Sequence, residues 1–151
     1  MNFSIEMETG TGKTYVYLRT IYELNQNYGF KKFVIVVPSV AIKEGTKKNF
    51  DITKNDFQVL YNKTPIESTE YSSKNISYIR QFSNSNKIEV MIITRDSFNK
   101  DANIMNIPQD KFYGKRPIEL VKKTNPILIL DEPQNMESEI TKEAIANLNP
   151  L

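Results

Sequence analysis

The chain has 151 residues, of which 39% are hydrophobic and 25% are charged, so it is long enough for one domain with a buried core. It contains no cysteine and no histidine, which excludes disulfide bonds, thiolate or imidazole metal sites, and Ser-His-Asp or Cys-His catalysis within these residues. The net charge of +2 does not by itself indicate nucleic-acid binding. The sequence has neither a long apolar run nor a signal-like start, so we predict no membrane partner and a cytoplasmic location.

Short apolar runs rich in β-branched residues alternate with amphipathic stretches along the chain. The runs FVIVV, VMIIT and ILIL are typical of strands buried on both faces of a sheet. Strands that alternate with helices indicate βαβ units, so the predicted fold class is α/β with a mainly parallel sheet. In chain order we predict a strand at 3–5, a helix at 13–27, a strand at 33–37, a helix at 39–49 capped by Ser39, a strand at 57–61, a helix at 75–82, a strand at 90–94, an irregular segment at 99–116, a helix at 117–124, a strand at 127–130 and a helix at 138–148.

The stretch TGTGKT at residues 9–14 lies between a predicted strand and a predicted helix. Gly10 and Gly12 allow backbone angles that bring the main chain close to a ligand, and the amide groups at the start of the helix attract phosphate. In such a phosphate loop Lys13 contacts the β- and γ-phosphates of ATP and the Thr14 hydroxyl binds Mg²⁺. The first glycine of the general G-x-x-x-x-G-K-[ST] motif falls on Met7, which departs from the pattern. A glycine-rich turn that precedes a lysine by chance is the alternative.

The strand predicted at 127–130 leads directly into DEPQ at residues 131–134. Acidic side chains at the carboxyl end of a buried strand lie where open α/β sheets bind ligands. We therefore predict that Asp131 holds Mg²⁺ through its water shell and that Glu132 orients or deprotonates the attacking water. The phosphate loop and Asp131 are expected at the ends of neighbouring strands, with Lys43 and Thr94 along the same edge. A solvent-facing acidic turn is the alternative.

Three blocks of the sequence together resemble one protein family: METGTGKT at residues 7–14, VPSVAIKEG at 37–45 and DEPQ at 131–134. The combination closely resembles the restriction subunit of type III restriction-modification enzymes, which are superfamily 2 helicase-like proteins. ABC ATPases also carry LDEP, but the preceding segment PIELVKKTNP lacks their LSGGQ-like signature. The resemblance covers essentially all 151 residues. It implies a P-loop NTPase with a RecA-like fold, a three-layer sandwich.

The resemblance assigns roles at matching positions only. It implies catalytic roles for Lys13, Glu132 and Gln134, where Gln134 would couple the nucleotide state to DNA contacts, and it implies metal binding by Thr14 and Asp131. The implied ATP-binding residues are Glu8, Thr9, Gly10, Thr11, Gly12, Lys13 and Thr14. The implied contacts with the DNA backbone, which carry no base identity, are Ser39, Lys43, Thr94 and Arg95. The alternatives are a polar residue at a helix start for Gln134 and a solvated lysine on a capped helix for Lys43.

Members of this family hydrolyse ATP, move or signal along double-stranded DNA, and cut it with a separate nuclease domain, in complex with a DNA-methyltransferase (modification) subunit. We interpret residues 1–151 as the first motor domain, cut at both ends, and expect the second motor domain and the nuclease domain outside them. Two other interpretations remain. One is another superfamily 2 DNA motor, from a type I restriction system or a phage, although DEPQ argues against the usual DEAH of type I enzymes. The other is a stand-alone nucleotide-binding module.

Overall fold

The computed structural model describes residues 4–8, 10–96, 107–108, 110–112, 114–133, 142–143, 145–146 and 150. Its helices and strands are, in chain order, α1 (Lys13–Tyr28), β1 (Lys32–Val37), α2 (Val40–Leu60), β2 (Ile66–Glu70), α3 (Tyr78–Asn84), β3 (Ile88–Thr94), α4 (Pro117–Lys122) and β4 (Ile127–Leu130). Short 3₁₀ turns lie at Ser73–Asn75 and Asp110–Phe112. Within the described ranges, no helix combines the length and the apolar character needed to cross a membrane.

The four strands form one sheet in the order β2-β3-β1-β4, and every pair of neighbours is parallel. The register places Val37, the last residue of β1, beside Thr94, the last residue of β3. Beyond β4 the pairing continues, because the Asp131 amide donates to the Val36 carbonyl at 2.9 Å. The carboxyl ends of β1, β3 and β4 therefore meet at one edge, as the predicted parallel sheet requires.

Helices cover both faces of the sheet, and the alternation of side chains along β1 shows the two cores directly. Phe33, Ile35 and Val37 pack with buried side chains of α1 and α2. Val34 and Val36 face the other way and pack with buried side chains of α3 and α4. The result is a three-layer α/β arrangement, and the predicted fold class is confirmed. Runs such as FVIVV lack polar alternation because both of their faces are buried.

The strand predicted at residues 57–61 is wrong, because residues 57–60 form the end of α2 and Tyr61 is the cap that follows it. Phe57 is buried, and its ring packs against Tyr22 of α1 with centroids 5.8 Å apart. Val59 and Leu60 are 77% and 67% exposed, so their apolar character does not reflect burial in a sheet. The helix is thus 21 residues long rather than ending near Asn49.

One further predicted strand needs correction, and one strand of the sheet was not predicted. Residues 4–5 of the strand predicted at 3–5 form no regular structure, and Phe3 lies outside the described residues. Strand β2, with the sequence IESTE, was missed because only Ile66 is fully buried and the other four residues are polar and half-buried. Its pairing with β3 comes from the backbone and not from an apolar pattern. The helix predicted at 75–82 begins later, at Tyr78. The helix predicted at 138–148 lies mostly outside the described residues.

Candidate nucleotide-binding site

The loop before α1 passes through two left-handed backbone positions. Gly10 has φ 82° and Gly12 has φ 90°, angles that residues with a Cβ adopt at a cost. A Cβ at either position would meet nothing within 4 Å, so the backbone angle and not a lack of space favours glycine. Between them, the Thr11 hydroxyl donates to the Glu8 carbonyl at 2.6 Å and closes the turn. Thr9 lies outside the described residues.

Helix α1 begins immediately after this turn, and its first three residues line the cavity described below. Its first hydrogen bonds are donated by the Tyr15 and Val16 amides to the Gly12 carbonyl, at 2.9 and 3.2 Å. The amides of Lys13 and Thr14 precede these bonds, so they have no partner within the helix. A 16-residue helix also directs its positive dipole end toward this point. The arrangement suits an anion such as a phosphate.

Asp131 and Glu132 follow β4 and face the same loop. Asp131 is only 8% exposed, and its Oδ1 lies 4.0 Å from the Lys13 Nζ. The two residues predicted to serve phosphate and metal are therefore in contact. Glu132 has φ 55°, an unusual angle for a residue with a side chain, and such strain often occurs at functional positions. Gln134 lies outside the described residues, so its role stays a prediction.

Tyr17 completes this cluster, and the sequence interpretation missed it. Its hydroxyl donates to Asp131 Oδ1 at 2.6 Å. Burial raises the pKa of Tyr17 far above its usual value, and the hydrogen bond to Asp131 and the charges of Asp131 and Glu132 raise it further, so the phenol stays protonated and acts as the donor. Helical spacing could have indicated its place in the site, because Tyr17 follows Lys13 by one turn and lies on the same face of α1.

These side chains line one cavity of about 440 Å³. Gly10, Gly12, Lys13 and Thr14 of the loop line it, together with Asp131 and Glu132. The first two-thirds of α2 also contributes to the lining, mostly through small or polar residues, namely Ala41, Ile42, Gly45, Thr46, Asn49 and Thr53. The volume is within the range of small-molecule sites, and the polar groups converge on the loop.

The donor atoms of this cavity fit Mg²⁺. Thr14 offers a hydroxyl and Asp131 a carboxylate, both hard oxygen ligands of the kind that Mg²⁺ prefers. Among the described residues no group of three or more acidic side chains forms a metal cage. Mg²⁺ is usually bound by one or two protein carboxylates together with water and substrate phosphates, and the Thr14 hydroxyl with the Asp131 carboxylate matches such a donor set.

The four residues predicted to contact DNA lie at or just beyond the carboxyl-end edge of the sheet. Ser39 caps α2, and its side chain accepts a hydrogen bond from the Ile42 amide at 3.3 Å. Lys43 is paired with Glu70 at 3.3 Å and its side chain is only 13% exposed, so it is not a simple solvated lysine. Thr94 is buried, and Arg95 donates from Nε to Asp96 at 3.2 Å. Their contacts with DNA stay predictions.

Comparison with known proteins identifies the family. A family profile described as "Type III restriction enzyme, res subunit" matches residues 1–150. The chain belongs to this family. The chain is 34% identical over 152 aligned residues to the type III restriction-modification enzyme StyLTI Res subunit of Salmonella typhimurium strain LT2. It is 35% identical over 150 to the EcoP15I Res subunit of Escherichia coli, and 33% identical over 148 to the EcoPI Res subunit of Escherichia phage P1.

The match to these Res subunits is extensive in this chain but covers a small part of theirs. The alignments include 85 to 87% of this chain and 15% of each relative. The resemblance predicted from the three sequence blocks is therefore confirmed. The residues matched to the Res family profile include the loop at Gly10 to Thr14 and the acidic pair at Asp131 and Glu132.

Proposed function

We propose that this chain is the ATP-binding first motor domain of a Res subunit, the DNA-dependent ATPase and translocase of a type III restriction-modification enzyme. One observation carries the proposal. The phosphate-loop residues Lys13 and Thr14 line the same cavity as Asp131 and Glu132, and Lys13 lies 4.0 Å from Asp131. A cationic group, the amides at a helix start and two carboxylates around one cavity are groups that phosphoryl transfer from ATP to water uses.

Each residue has a distinct task in this proposal. The amides of the loop and Lys13 hold the β- and γ-phosphates and offset their charge. Glu132 orients the attacking water and accepts its proton. Thr14 and Asp131 would hold Mg²⁺, which supplies charge neutralisation at the phosphates. Positioning and electrostatics account for most of the catalysis in such reactions, so these residues matter through their placement.

The wider machinery is part of the same proposal. The chain spans 15% of the length of the curated relatives that it matches. We propose that a second motor domain with an arginine finger, a nuclease domain and a modification subunit act together with it. Double-stranded DNA would contact the sheet edge near Ser39 and Arg95 through its phosphates. Gln134 would relate the nucleotide state to those contacts.

The nucleotide site can be tested on this chain directly. We expect weak, Lys13-dependent binding of a fluorescent ATP analogue, because the phosphate cradle is present. Lys13→Ala should abolish this binding, whereas Lys31→Ala, which changes an exposed lysine outside the cavity, should leave it intact. Equal binding by Lys13→Ala and the unaltered chain would contradict the phosphate-loop assignment.

The motor function is tested in a complete Res protein with its modification subunit. Lys13→Ala or Asp131→Ala should remove ATP-dependent DNA cleavage without unfolding the protein, as circular dichroism would show. The chain of 151 residues alone should turn over almost no ATP, since an arginine finger can contribute about 10³–10⁵ in rate. DNA-stimulated hydrolysis near ~1 s⁻¹ by this chain would show that it is a complete catalyst. ATP turnover that DNA never stimulates in the complete protein would favour a stand-alone nucleotide-binding module.

A further inference from the structure

A phenol reaches the predicted Mg²⁺ ligand from the helix that carries Lys13. The Tyr17 hydroxyl donates to Asp131 Oδ1 at 2.6 Å, across 114 residues of sequence. The same oxygen lies 4.0 Å from the Lys13 Nζ. Lys13 and Tyr17 are one helical turn apart, so the first two turns of α1 approach the Asp131 carboxylate with two donors on one face.

The surroundings of Tyr17 fix the direction of this contact. The next residue, Leu18, is fully buried, and Ile21 one turn further along α1 is also buried against the sheet, so the helix has little freedom to rotate. The backbone of Asp131 is held in turn by its hydrogen bond to Val36. Both ends of the Tyr17–Asp131 bond are therefore anchored, and the bond can set the rotation of the carboxylate.

A carboxylate has two oxygens, and a hydrogen bond to one of them orients the other. Ligand carboxylates in metal sites are generally held by such bonds, and loss of the supporting residue commonly weakens metal binding by about 10–100-fold. A hydrogen bond from a neutral phenol leaves the negative charge on the carboxylate, whereas an ion pair offsets that charge. Tyr17 is thus suited to orient Asp131 while leaving the net negative charge of the carboxylate in place to attract a cation.

We propose that Tyr17 is a positioning residue for the Mg²⁺-nucleotide complex, acting through Asp131. This inference rests on the proposed ATP-binding function. A merely structural role for Tyr17 would change the stability of the fold but would affect nucleotide binding equally with and without Mg²⁺. A positioning role affects only the Mg²⁺-dependent part.

The test measures equilibrium binding of a fluorescent, non-hydrolysable ATP analogue to the chain while Mg²⁺ is titrated, and again in EDTA. Tyr17→Phe keeps the ring and removes the hydroxyl. It should raise the Mg²⁺ concentration at half-maximal binding by about 10-fold or more and leave binding in EDTA unchanged. Tyr28→Phe, at the exposed end of the same helix, is the matched control and should alter neither value. Thermal denaturation checks that each variant is folded.

A double-mutant cycle with Asp131→Asn provides a second measurement. If Tyr17 acts through Asp131, adding Tyr17→Phe to Asp131→Asn should not shift the Mg²⁺ midpoint further, whereas independent effects would add. An unchanged midpoint in Tyr17→Phe, or additive shifts in the cycle, would overturn the inference and leave the nucleotide site intact. If the unaltered chain binds the analogue no better than Lys13→Ala does, the proposed function fails and the inference fails with it.

Discussion

The phosphate loop makes a prediction about backbone strain that two glycine-to-alanine substitutions can test. Gly12 has φ 90° and precedes α1, whereas Gly45 lies in the regular interior of α2. A Cβ would meet nothing within 4 Å at either position, so steric contact with neighbours contributes to neither substitution. The same chemical change should therefore have effects of opposite sign, decided by the backbone angle alone.

The magnitudes follow from this difference. Gly12→Ala places a Cβ on a left-handed residue and should cost about 1–2 kcal/mol of folding free energy. The loop cannot relax freely, because the Gly12 carbonyl accepts the first two hydrogen bonds of α1. Gly45→Ala reduces the freedom of the unfolded chain and should stabilise the protein by about 0.5–1 kcal/mol. For a domain of this size, each ~1 kcal/mol shifts the melting temperature by about 2–4 °C.

Differential scanning calorimetry or urea denaturation measures both variants against the unaltered chain. We expect Gly12→Ala to melt lower by ~2–8 °C and Gly45→Ala to melt higher by ~1–4 °C. Gly12→Ala should also lose binding of the ATP analogue, since the amides that follow it would be displaced. If Gly12→Ala melted at the temperature of the unaltered chain and bound nucleotide normally, the left-handed turn that we assign to this loop would be incorrect.

Three further predictions concern the packing and charges around the site. Phe57→Ala should lower the free energy of unfolding, measured by urea denaturation, by about 3–5 kcal/mol, because Phe57 is buried and packs against the rings of Tyr15 and Tyr22. A decrease below ~1 kcal/mol would contradict the place of Phe57 in the core. Burial raises the pKa of Tyr22 from the usual 10.0 to about 12, so the stability that this residue contributes is fully present below pH 10 and is lost as the pH rises through 12. Urea denaturation between pH 9 and 12 should therefore show the free energy of unfolding falling by up to about 1.4 kcal/mol per pH unit because of Tyr22. In Tyr22→Phe the free energy of unfolding should fall less steeply over the same pH range. Glu70→Gln removes the negative charge paired with Lys43, so in a complete Res protein Lys43 can pair with a DNA phosphate and DNA binding should become stronger. The slope of log affinity against log salt concentration should become steeper by about one unit. An unchanged slope would indicate that Lys43 does not contact DNA.

The parts of the molecule that sequence predicted well are those whose cause is local. The alternation of Phe33 to Val37 between two cores produces an uninterrupted apolar run, which indicates a buried strand without further information. The loop at Gly10 and Gly12 is likewise local, since positive φ angles strongly favour glycine. The strand ending at Leu130 followed by two acids was predictable for the same reason.

The parts that sequence did not predict depend on contacts between distant residues. Strand β2 is polar along most of its length and exists because β3 supplies its hydrogen-bond partners. The last four residues of α2 were mistaken for part of a strand, since the packing of Phe57 on α1 is a contact that a local pattern cannot show. Tyr17 was overlooked since its partner, Asp131, is 114 residues away in sequence.

The acidic side of the site follows β4, the least buried strand of the sheet, and this affects how a ligand would bind. All four residues of β4 are half-buried, whereas five of the six residues of β1 are fully buried. Within the described part of the chain, β4 pairs with β1 alone.

Opening of β4 would carry Asp131 away from Lys13 and divide the cavity. The Tyr17–Asp131 bond opposes this separation, because it joins α1 to the end of β4 directly. A nucleotide held at once by the loop and by Asp131 would bind only the closed arrangement, so it should stabilise β4 more than the central strands. The short strand that precedes the acidic residues is thus the element whose stability nucleotide binding is best placed to control.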